Sequence, residues 1–445
     1  MLKFGTDGVR GVANLDLTPE VVLALGRAAA RVLGGWQVVV GRDTRLSGAL
    51  LEAAFVAGLA SEGVQVQVLG VVPTPVIAWV AARDGIAGAV ISASHNPFED
   101  NGVKLFAPGG TKLTDEQEAA VEAELHRVLN HEIASSPRTG DAVGSVRDAS
   151  AELEPWATSV IESIDGRGLS GLRLVIDCAN GSASGIGPRV LRALGATVEV
   201  LHDEPDGTNI NAGCGSTHPQ ELQRAVVQLG ADAGLAFDGD ADRVLAVDAG
   251  GRLIDGDQII GICAIDRHAR RSLPEDTVVV TVMTNLGFRL GMAEHGIKVH
   301  EVPVGDRHVL EAMAASGYAL GGEQSGHVIF RDQATTGDGL LTAVQLLDVV
   351  ARTGRPLGDL ADTAMTRLPQ VLRNVRVATK GTDVSGALAA PIAAAEAELG
   401  DHGRVLVRAS GTEPLVRVMV EAPTAEQAEA LAERLAGLVA DLGSP

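Results

Sequence analysis

At roughly 150 residues per domain, a chain of 445 residues is long enough for about three domains. Its 46% hydrophobic and 21% charged residues are ordinary for a folded globular protein. The balance of 36 basic against 57 acidic residues gives a net charge of −21, which argues against nucleic acid or an anionic membrane as partner, since both need a basic surface. Cys178, Cys214 and Cys263 are odd in number, far apart and without a CxxC pair. That excludes a disulfide framework and a thiolate zinc site, and fits a reducing cytoplasm. No run of about 18 apolar residues is present, so no membrane span is expected. MLKFGTDGVRG meets Asp7 before any apolar stretch, so it does not read as a signal peptide.

Along the chain, one pattern occurs three times: an apolar strand, a polar or Gly-rich loop, a helix closed by Gly, and a second strand running into Pro. WQVVVGRDTRLSG begins the first copy, LRLVIDCANGSASG the second and TVVVTVMTNLG the third. Gly63, Gly195 and Gly296 stand where a helix end takes a left-handed residue. Such units imply right-handed crossovers and largely parallel pairing. From about Met365 the order changes to strand 370–378, helix 384–399, strands 404–408 and 415–421, and helix 425–442, which predicts a hairpin-containing α+β fold. The expected organisation is therefore α/β: three related α/β domains with mixed or parallel sheets (1–150, 151–253, 254–365) and a C-terminal α+β domain (366–445). The stretch 134–144 reads as an exposed loop near the first boundary.

Four segments carry chemistry. Ile91-Ser92-Ala93-Ser94-His95-Asn96-Pro97 presents Ser94 on a polar turn at a strand end, where open α/β sheets bind ligands. Lys104, one of five lysines, follows closely. Phe237-Asp238-Gly239-Asp240-Ala241-Asp242-Arg243 sets three carboxylates at i, i+2 and i+4 between two apolar strands, a spacing that converges on a hard cation. Arg243 and Ala249 stand where an EF-hand needs Gly and Glu, so calcium of that kind is rejected, and space left for water or phosphate oxygen suits magnesium. Gly321-Gly322-Glu323-Gln324-Ser325-Gly326-His327 offers an acceptor and a hydroxyl for sugar hydroxyls or an amine, or is a plain turn. Arg408-Ala409-Ser410-Gly411-Thr412-Glu413-Pro414, with Arg417, combines guanidinium groups, hydroxyls and a glycine turn in a phosphate cradle, or is an empty hairpin turn. The opening Gly5–Gly11 loop lacks dinucleotide and P-loop spacings.

Together SASHNP, DGDADR, GGEQSGH and RASGTEP, in this order over the whole chain, resemble the α-D-phosphohexomutase superfamily. FGTDGVRGVAN and the EQ of GGEQSGH look most like its phosphoglucosamine mutase branch, although His308 in VGDRHV stands where that branch usually has Tyr. The resemblance implies four domains around a central cleft and a phosphoserine at Ser94. It implies one Mg2+ held by Asp238, Asp240, Asp242 and that phosphate. Glu323 and Ser325 would contact sugar hydroxyls. Arg408, Ser410, Gly411, Thr412 and Arg417 would hold the non-reacting phosphate. Lys104 and His327 are its acid–base candidates, and Arg10 and Arg243 its phosphate-charge partners. The implied reaction interconverts glucosamine 6-phosphate and glucosamine 1-phosphate through glucosamine 1,6-bisphosphate, in the cytoplasm, on the route to UDP-N-acetylglucosamine. The resemblance is compatible with a homodimer. A phosphomannomutase or phosphoglucomutase would share these catalytic residues. A metal-dependent phosphatase would share the serine and acidic loop, but has no need of a distant second phosphate cradle.

Overall fold

The computed structural model describes residues 8–132, 138–377, 385–409 and 415–443. The chain forms two compact units, residues 1–282 with 297–361, and residues 283–296 with 362–445.

The first unit contains three sheets. The first comprises β1 (Val9–Val12), β2 (Gln37–Arg42), β3 (Gln65–Val71), β4 (Ala87–Ile91), β5 (Asp100–Ala107), β6 (Thr111–Lys112) and β7 (Val146–Asp148), in the order β1-β5-β4-β2-β3-β7 with β6 beside β5. The second comprises β8 (Arg173–Asp177), β9 (Thr197–Leu201), β10 (Ala233–Phe237), β11 (Val244–Asp248) and β12 (Leu253–Ile254), in the order β12-β11-β10-β8-β9. The third comprises β13 (Thr277–Thr281), β14 (Lys298–Val302), β15 (Leu320–Gly322) and β16 (Val328–Phe330), in the order β14-β13-β15-β16.

One motif underlies all three. Three parallel strands (β3-β2-β4, β9-β8-β10, β14-β13-β15) are followed by a strand antiparallel to the last of them: β5, β11 and β16. The near-continuous apolar runs of β4 (AGAVI), β10 (AGLAF) and β13 (TVVVT) fit strands buried on both faces, and every residue of the three is buried. The loops that join the third parallel strand to its antiparallel partner are 92–99, 238–243 and 323–327. Three of the four chemistry-bearing segments thus occupy one topological position.

Helix boundaries follow local chemistry. Thr18 caps the helix Pro19–Leu33 with Pro at its first position, and capping boxes Thr114/Gln117 and Asp255/Gln258 open Asp115–Leu129 and Gly256–Ala269. Gly63, Gly195 and Gly296 take φ of +90°, +93° and +72° just past their helices, as expected. The helices Pro19–Leu33 and Gly48–Ser61 cross where Gly26 faces Gly58. A β-carbon on Gly26 would lie 2.3 Å from the Phe55 carbonyl oxygen, so the backbones meet too closely for any side chain.

In the second unit, β17 (Gln370–Arg376), β18 (Arg404–Ala409) and β19 (Leu415–Glu421) form an antiparallel sheet in the order β17-β19-β18, with helices Ser385–Leu399 and Ala425–Gly443. This is the α+β pattern read from the sequence. The helix Leu286–Glu294 also packs here, although it lies between β13 and β14 in the chain. Its Leu286 N donates to the buried Glu421 carboxylate (3.0 Å), and Gly287 and Gly291 let its backbone close on the carbonyls of Thr366 and Ala364. Glu421 is further satisfied by Arg404 Nε (3.1 Å) and Gln370 Nε2 (2.8 Å). Residues 138–145 are mostly exposed, as expected of that loop, whereas 134–137 lie outside the described residues.

Candidate active site

Ser94 follows β4 in a left-handed conformation (φ +53°), a conformation non-glycine residues adopt only when surrounding contacts impose it. Those contacts are present. Ser94 N donates to Ser92 Oγ (2.9 Å), and Ser92 Oγ donates to Asp43 Oδ2 (2.7 Å). Arg45, fully buried, donates to the carbonyls of Ser94 and Asn96 (both 2.8 Å), Pro97 and Asp100 (3.2 Å), and to Asp43 (2.9 Å). From the loop after β9, Asn211 Nδ2 also donates to Ser94 O (2.9 Å). The hydroxyl so held donates to Asp238 Oδ2 at 2.7 Å and lies 3.3 Å from His95 Nδ1.

The acidic loop between β10 and β11 brings Asp238, Asp240 and Asp242 together, one carboxylate oxygen of each within 4.8 Å of the others, all three buried. Three neighbouring segments position it. Thr74, opening the helix Thr74–Asp84, donates its N–H to Asp240 O (2.9 Å) and its hydroxyl to Asp240 Oδ2 (2.7 Å). Gly339 N donates to Ala241 O (3.0 Å), and Val244 N to Gly326 O (3.1 Å). Lys104 Nζ lies 2.7 Å from Asp240 Oδ2 and 3.2 Å from Asp242 Oδ2. Burial, reinforced by Asp242 and Asp240, pushes the Asp238 carboxyl well above the usual range. Burial acts the same way on Asp242, but Lys104, His327 and Arg243 hold it well below. Asp240 Oδ1 and Asp242 Oδ1 are buried without a hydrogen-bond partner. Two orphaned carboxylate oxygens beside a carboxyl forced toward protonation are the donor set a hard divalent cation fits.

Arg243 reaches His95, its Nη1 3.3 Å from Nδ1. Burial, with Arg243 and Arg10 nearby, lowers the His95 pKa to about 4, so this ring is neutral at physiological pH. Arg10 sits on β1 opposite Gly102 of β5. His327, at the start of β16, is buried with Nδ1 3.7 Å from Asp242 and Nε2 3.3 Å from Asp306. Burial opposes its charging, but Asp242 and Asp306 raise its pKa above the usual histidine value. Glu323 Oε1 accepts from Gly305 N (3.1 Å), and Ser325 Oγ is buried without a partner. The structure thus brings Ser94, Lys104, Asp238, Asp240, Asp242, Arg243 and His327 into one linked set.

In the second unit, Arg408 and Arg417 are directly opposed across β18 and β19. Burial and the Arg417 charge lower the Arg408 pKa. Two facing guanidinium groups make a local positive spot suited to a dianion. Ser410, Gly411 and Thr412 lie outside the described residues, as does the Gly5–Asp7 part of the opening loop.

The motif reading missed Asp43, Arg45, Thr74 and Asn211. Asp43 and Arg45 lie in the RDTRLSG loop after β2, a parallel strand end, which was the signal available. It also missed Asp338, which caps the helix Gly339–Thr353 by accepting from Leu341 N (2.9 Å). Burial raises the Asp338 pKa to about 7. An unfolded aspartate ionises near 4, so the native state keeps a proton that the unfolded state has lost. This stabilisation is full below about pH 4 and is lost as pH rises through about 7. Asp338→Asn retains the capping oxygen and does not titrate. Its melting temperature relative to wild type, measured in chelator, should therefore rise between pH 5 and pH 8. A constant difference would contradict the buried neutral carboxyl.

Comparison with known proteins agrees with this geometry. The four phosphoglucomutase/phosphomannomutase domain profiles match in order: alpha/beta/alpha domain I over residues 1–132, domain II over 154–251, domain III over 255–368 and the C-terminal domain over 372–438. A phosphoglucosamine mutase from Frankia alni is 56% identical, covering 98% of this chain and 97% of the relative. The crystal structure of a phosphoglucomutase/phosphomannomutase family protein from Burkholderia thailandensis superposes with a TM-score of 0.81 at 28% identity, over 99% of this chain and 98% of that one. The Aspergillus fumigatus N-acetylphosphoglucosamine mutase, solved with GlcNAc-6P and magnesium, shares the fold at a TM-score of 0.71 and 22% identity, over 100% of this chain and 96% of that one. With four domain profiles matched in order and a relative of more than half identity along nearly its whole length, the chain belongs to the phosphoglucomutase/phosphomannomutase family, the α-D-phosphohexomutases.

Proposed function

We propose that this protein is an isomerase that interconverts glucosamine 6-phosphate and glucosamine 1-phosphate through a phosphoserine at Ser94 and a glucosamine 1,6-bisphosphate intermediate. The observation that carries the reading is the Ser94 hydroxyl, 2.7 Å from Asp238 in a buried three-carboxylate loop, in a chain 56% identical to a phosphoglucosamine mutase.

Phosphorylated Ser94 gives its phosphoryl group to the free hydroxyl of the sugar phosphate. The Ser94 Oγ–P bond breaks and Ser94 Oγ takes up a proton from an acid, while the sugar O–P bond forms and the sugar hydroxyl's proton passes to a base. Lys104 and His327 are the acid–base candidates for these two proton transfers, and each faces a carboxylate of the acidic loop. After the bisphosphate turns over, its other phosphate returns to Ser94 and the isomer leaves. Such transfer depends on positioning and charge stabilisation rather than on covalent chemistry by the protein. Ser92, Asp43, Arg45 and Asn211 fix the serine loop, while Arg243 and Arg10 supply positive charge. Glu323 and Ser325 receive sugar hydroxyls or the amine. Asp238, Asp240 and Asp242 would hold Mg2+, which when bound supplies charge stabilisation to the transferring phosphoryl group. Chelation with EDTA should remove most turnover, and Mg2+ should restore it; an unchanged rate would contradict the metal assignment.

Each isomer would present its non-reacting phosphate to Arg408 and Arg417, with Ser410, Gly411 and Thr412 completing the cradle. Arg417→Ala should raise KM in both directions by roughly ten- to a hundredfold, for a lost charge-assisted contact of about 1.5–3 kcal/mol. Turnover should fall less, because the contact is made in ground and transition states alike. An effect in one direction only would contradict a shared cradle. The function itself is tested by assaying glucosamine 6-phosphate, glucose 1-phosphate and mannose 1-phosphate in parallel. Preference for either hexose phosphate would move the enzyme to another branch of its family, and hydrolysis without isomerisation would make it a phosphatase. We infer a cytoplasmic location, which fits a reaction on small sugar phosphates.

A further inference from the structure

Cysteine spacing speaks only to zinc sites built from CxxC pairs, and the fold assembles a mixed donor set that such spacing does not reveal. β8 and β9 are adjacent and parallel, with Asp177 opposite Leu201, so Asp177 and His202 emerge side by side at their C-terminal ends. A third segment is drawn to the same point by Gly215 N, which donates to Asp177 Oδ2 (2.8 Å), and this sets Cys214 beside them. One ligand atom each of Asp177, His202 and Cys214 lies within 4.8 Å of the other two.

Asp177 and Cys214 are wholly buried, whereas the His202 side chain is 23% exposed, which leaves a route for solvent. His202 Nδ1 is a buried nitrogen 3.1 Å from Asp177 Oδ1, and this contact, with Glu221 beyond, raises the His202 pKa above the usual histidine value despite burial. Its other nitrogen, Nε2, lies 3.5 Å from Glu221 Oε2. The placement is that of an imidazole between two carboxylates, and it also lets Nδ1 take an ion beside Asp177 while Glu221 orients the other ring nitrogen. Zinc bonds of about 2.0–2.3 Å in a tetrahedron place ligand atoms roughly 3.3–3.7 Å apart, which this cluster reaches with small side-chain adjustments.

We propose that Asp177, His202 and Cys214 form a second metal site, for a zinc-class divalent cation, with the fourth position taken by water. The donor chemistry separates it from the three-carboxylate loop. Thiolate and imidazole select zinc-class ions, and carboxylates alone select magnesium. Binding releases the Cys214 proton to solvent, since the ligand is the thiolate. The ion ties together the ends of β8 and β9 and the loop that carries Asn211, which donates to Ser94 O. The site thus braces the segment behind the serine loop, and it does not depend on the proposed sugar specificity.

The test is titration of the metal-stripped full chain with Co2+. One equivalent should give a thiolate-to-cobalt charge-transfer band in the near ultraviolet, displaced by equimolar Zn2+ and not by excess Mg2+. The band should persist in Asp240→Asn, which disables the carboxylate loop. It should vanish in Cys214→Ser, and Co2+ affinity should fall about tenfold or more in His202→Asn. Asn tolerates the left-handed φ of +53° at position 202, so this variant decides the matter if Cys214→Ser does not fold. Absence of the band in wild type would show only a His202–Asp177 ion pair and overturn the proposal. So would a band unchanged in both variants, which would point to a different thiol.

Discussion

Ser94→Ala should lower turnover by more than about a thousandfold while leaving the fold in place. The loss is that of a nucleophile, the largest single effect a site of this kind shows. The neighbouring hydroxyl of Ser92 is not free to replace it. Ser92 is two residues away, but its Oγ already donates to Asp43 Oδ2 and accepts from Ser94 N. It is committed to holding the loop. The alanine variant removes one hydrogen bond to Asp238 and no packed volume beyond an oxygen. The control is intact mass after incubation with glucosamine 1,6-bisphosphate. Wild type should gain one phosphate and the variant none. Full activity in Ser94→Ala, or phosphate mapped elsewhere on an active protein, would remove Ser94 from the role.

Much of the site was legible because its chemistry is concentrated in short motifs. Asp238, Asp240 and Asp242 are spaced so that only a curled loop can relieve their repulsion, and burial between β10 and β11 confirms the expense of leaving them unpaired. The threefold repeat was legible for a different reason: period-2 and continuous apolar runs followed by Gly-closed helices recur in order. What the sequence could not reveal were partners distant along the chain. Arg45 and Pro97 are 52 residues apart, and Asn211 and Ser94 are 117 apart. The helix Leu286–Glu294 reads as part of a strand–helix–strand unit, yet it packs with residues 362–445, because Gly287 and Gly291 fit that surface. Local pattern carries the first kind of information and not the second.

Arg45 is where this distance matters most for function. Its guanidinium fills the inside of the serine loop, facing four carbonyl oxygens and the Asp43 carboxylate. Carbonyls turned inward repel one another unless a donor lies among them, and only a planar fork with several N–H groups reaches all of them at once. Arg45→Met should therefore cost about 3–5 kcal/mol, since it leaves Asp43 buried and uncompensated. That variant reports stability alone. Arg45→Lys retains the charge beside Asp43 but cannot span the four carbonyls. It should fold, with Ser94 no longer fixed in its left-handed conformation against Asp238. Turnover should fall about tenfold or more, because misplacement of a reacting atom by about an ångström is costly. KM should stay within about twofold, as Arg408 and Arg417 are untouched. Phosphorylation of Ser94 by the bisphosphate, followed by mass, should slow in step with turnover. A purely structural role for Arg45 would instead lower the melting temperature of the lysine variant and leave kcat per folded molecule unchanged. If kcat holds at the wild-type value, Arg45 supports the fold only, and the conformation of Ser94 is set by Ser92 and Asn211.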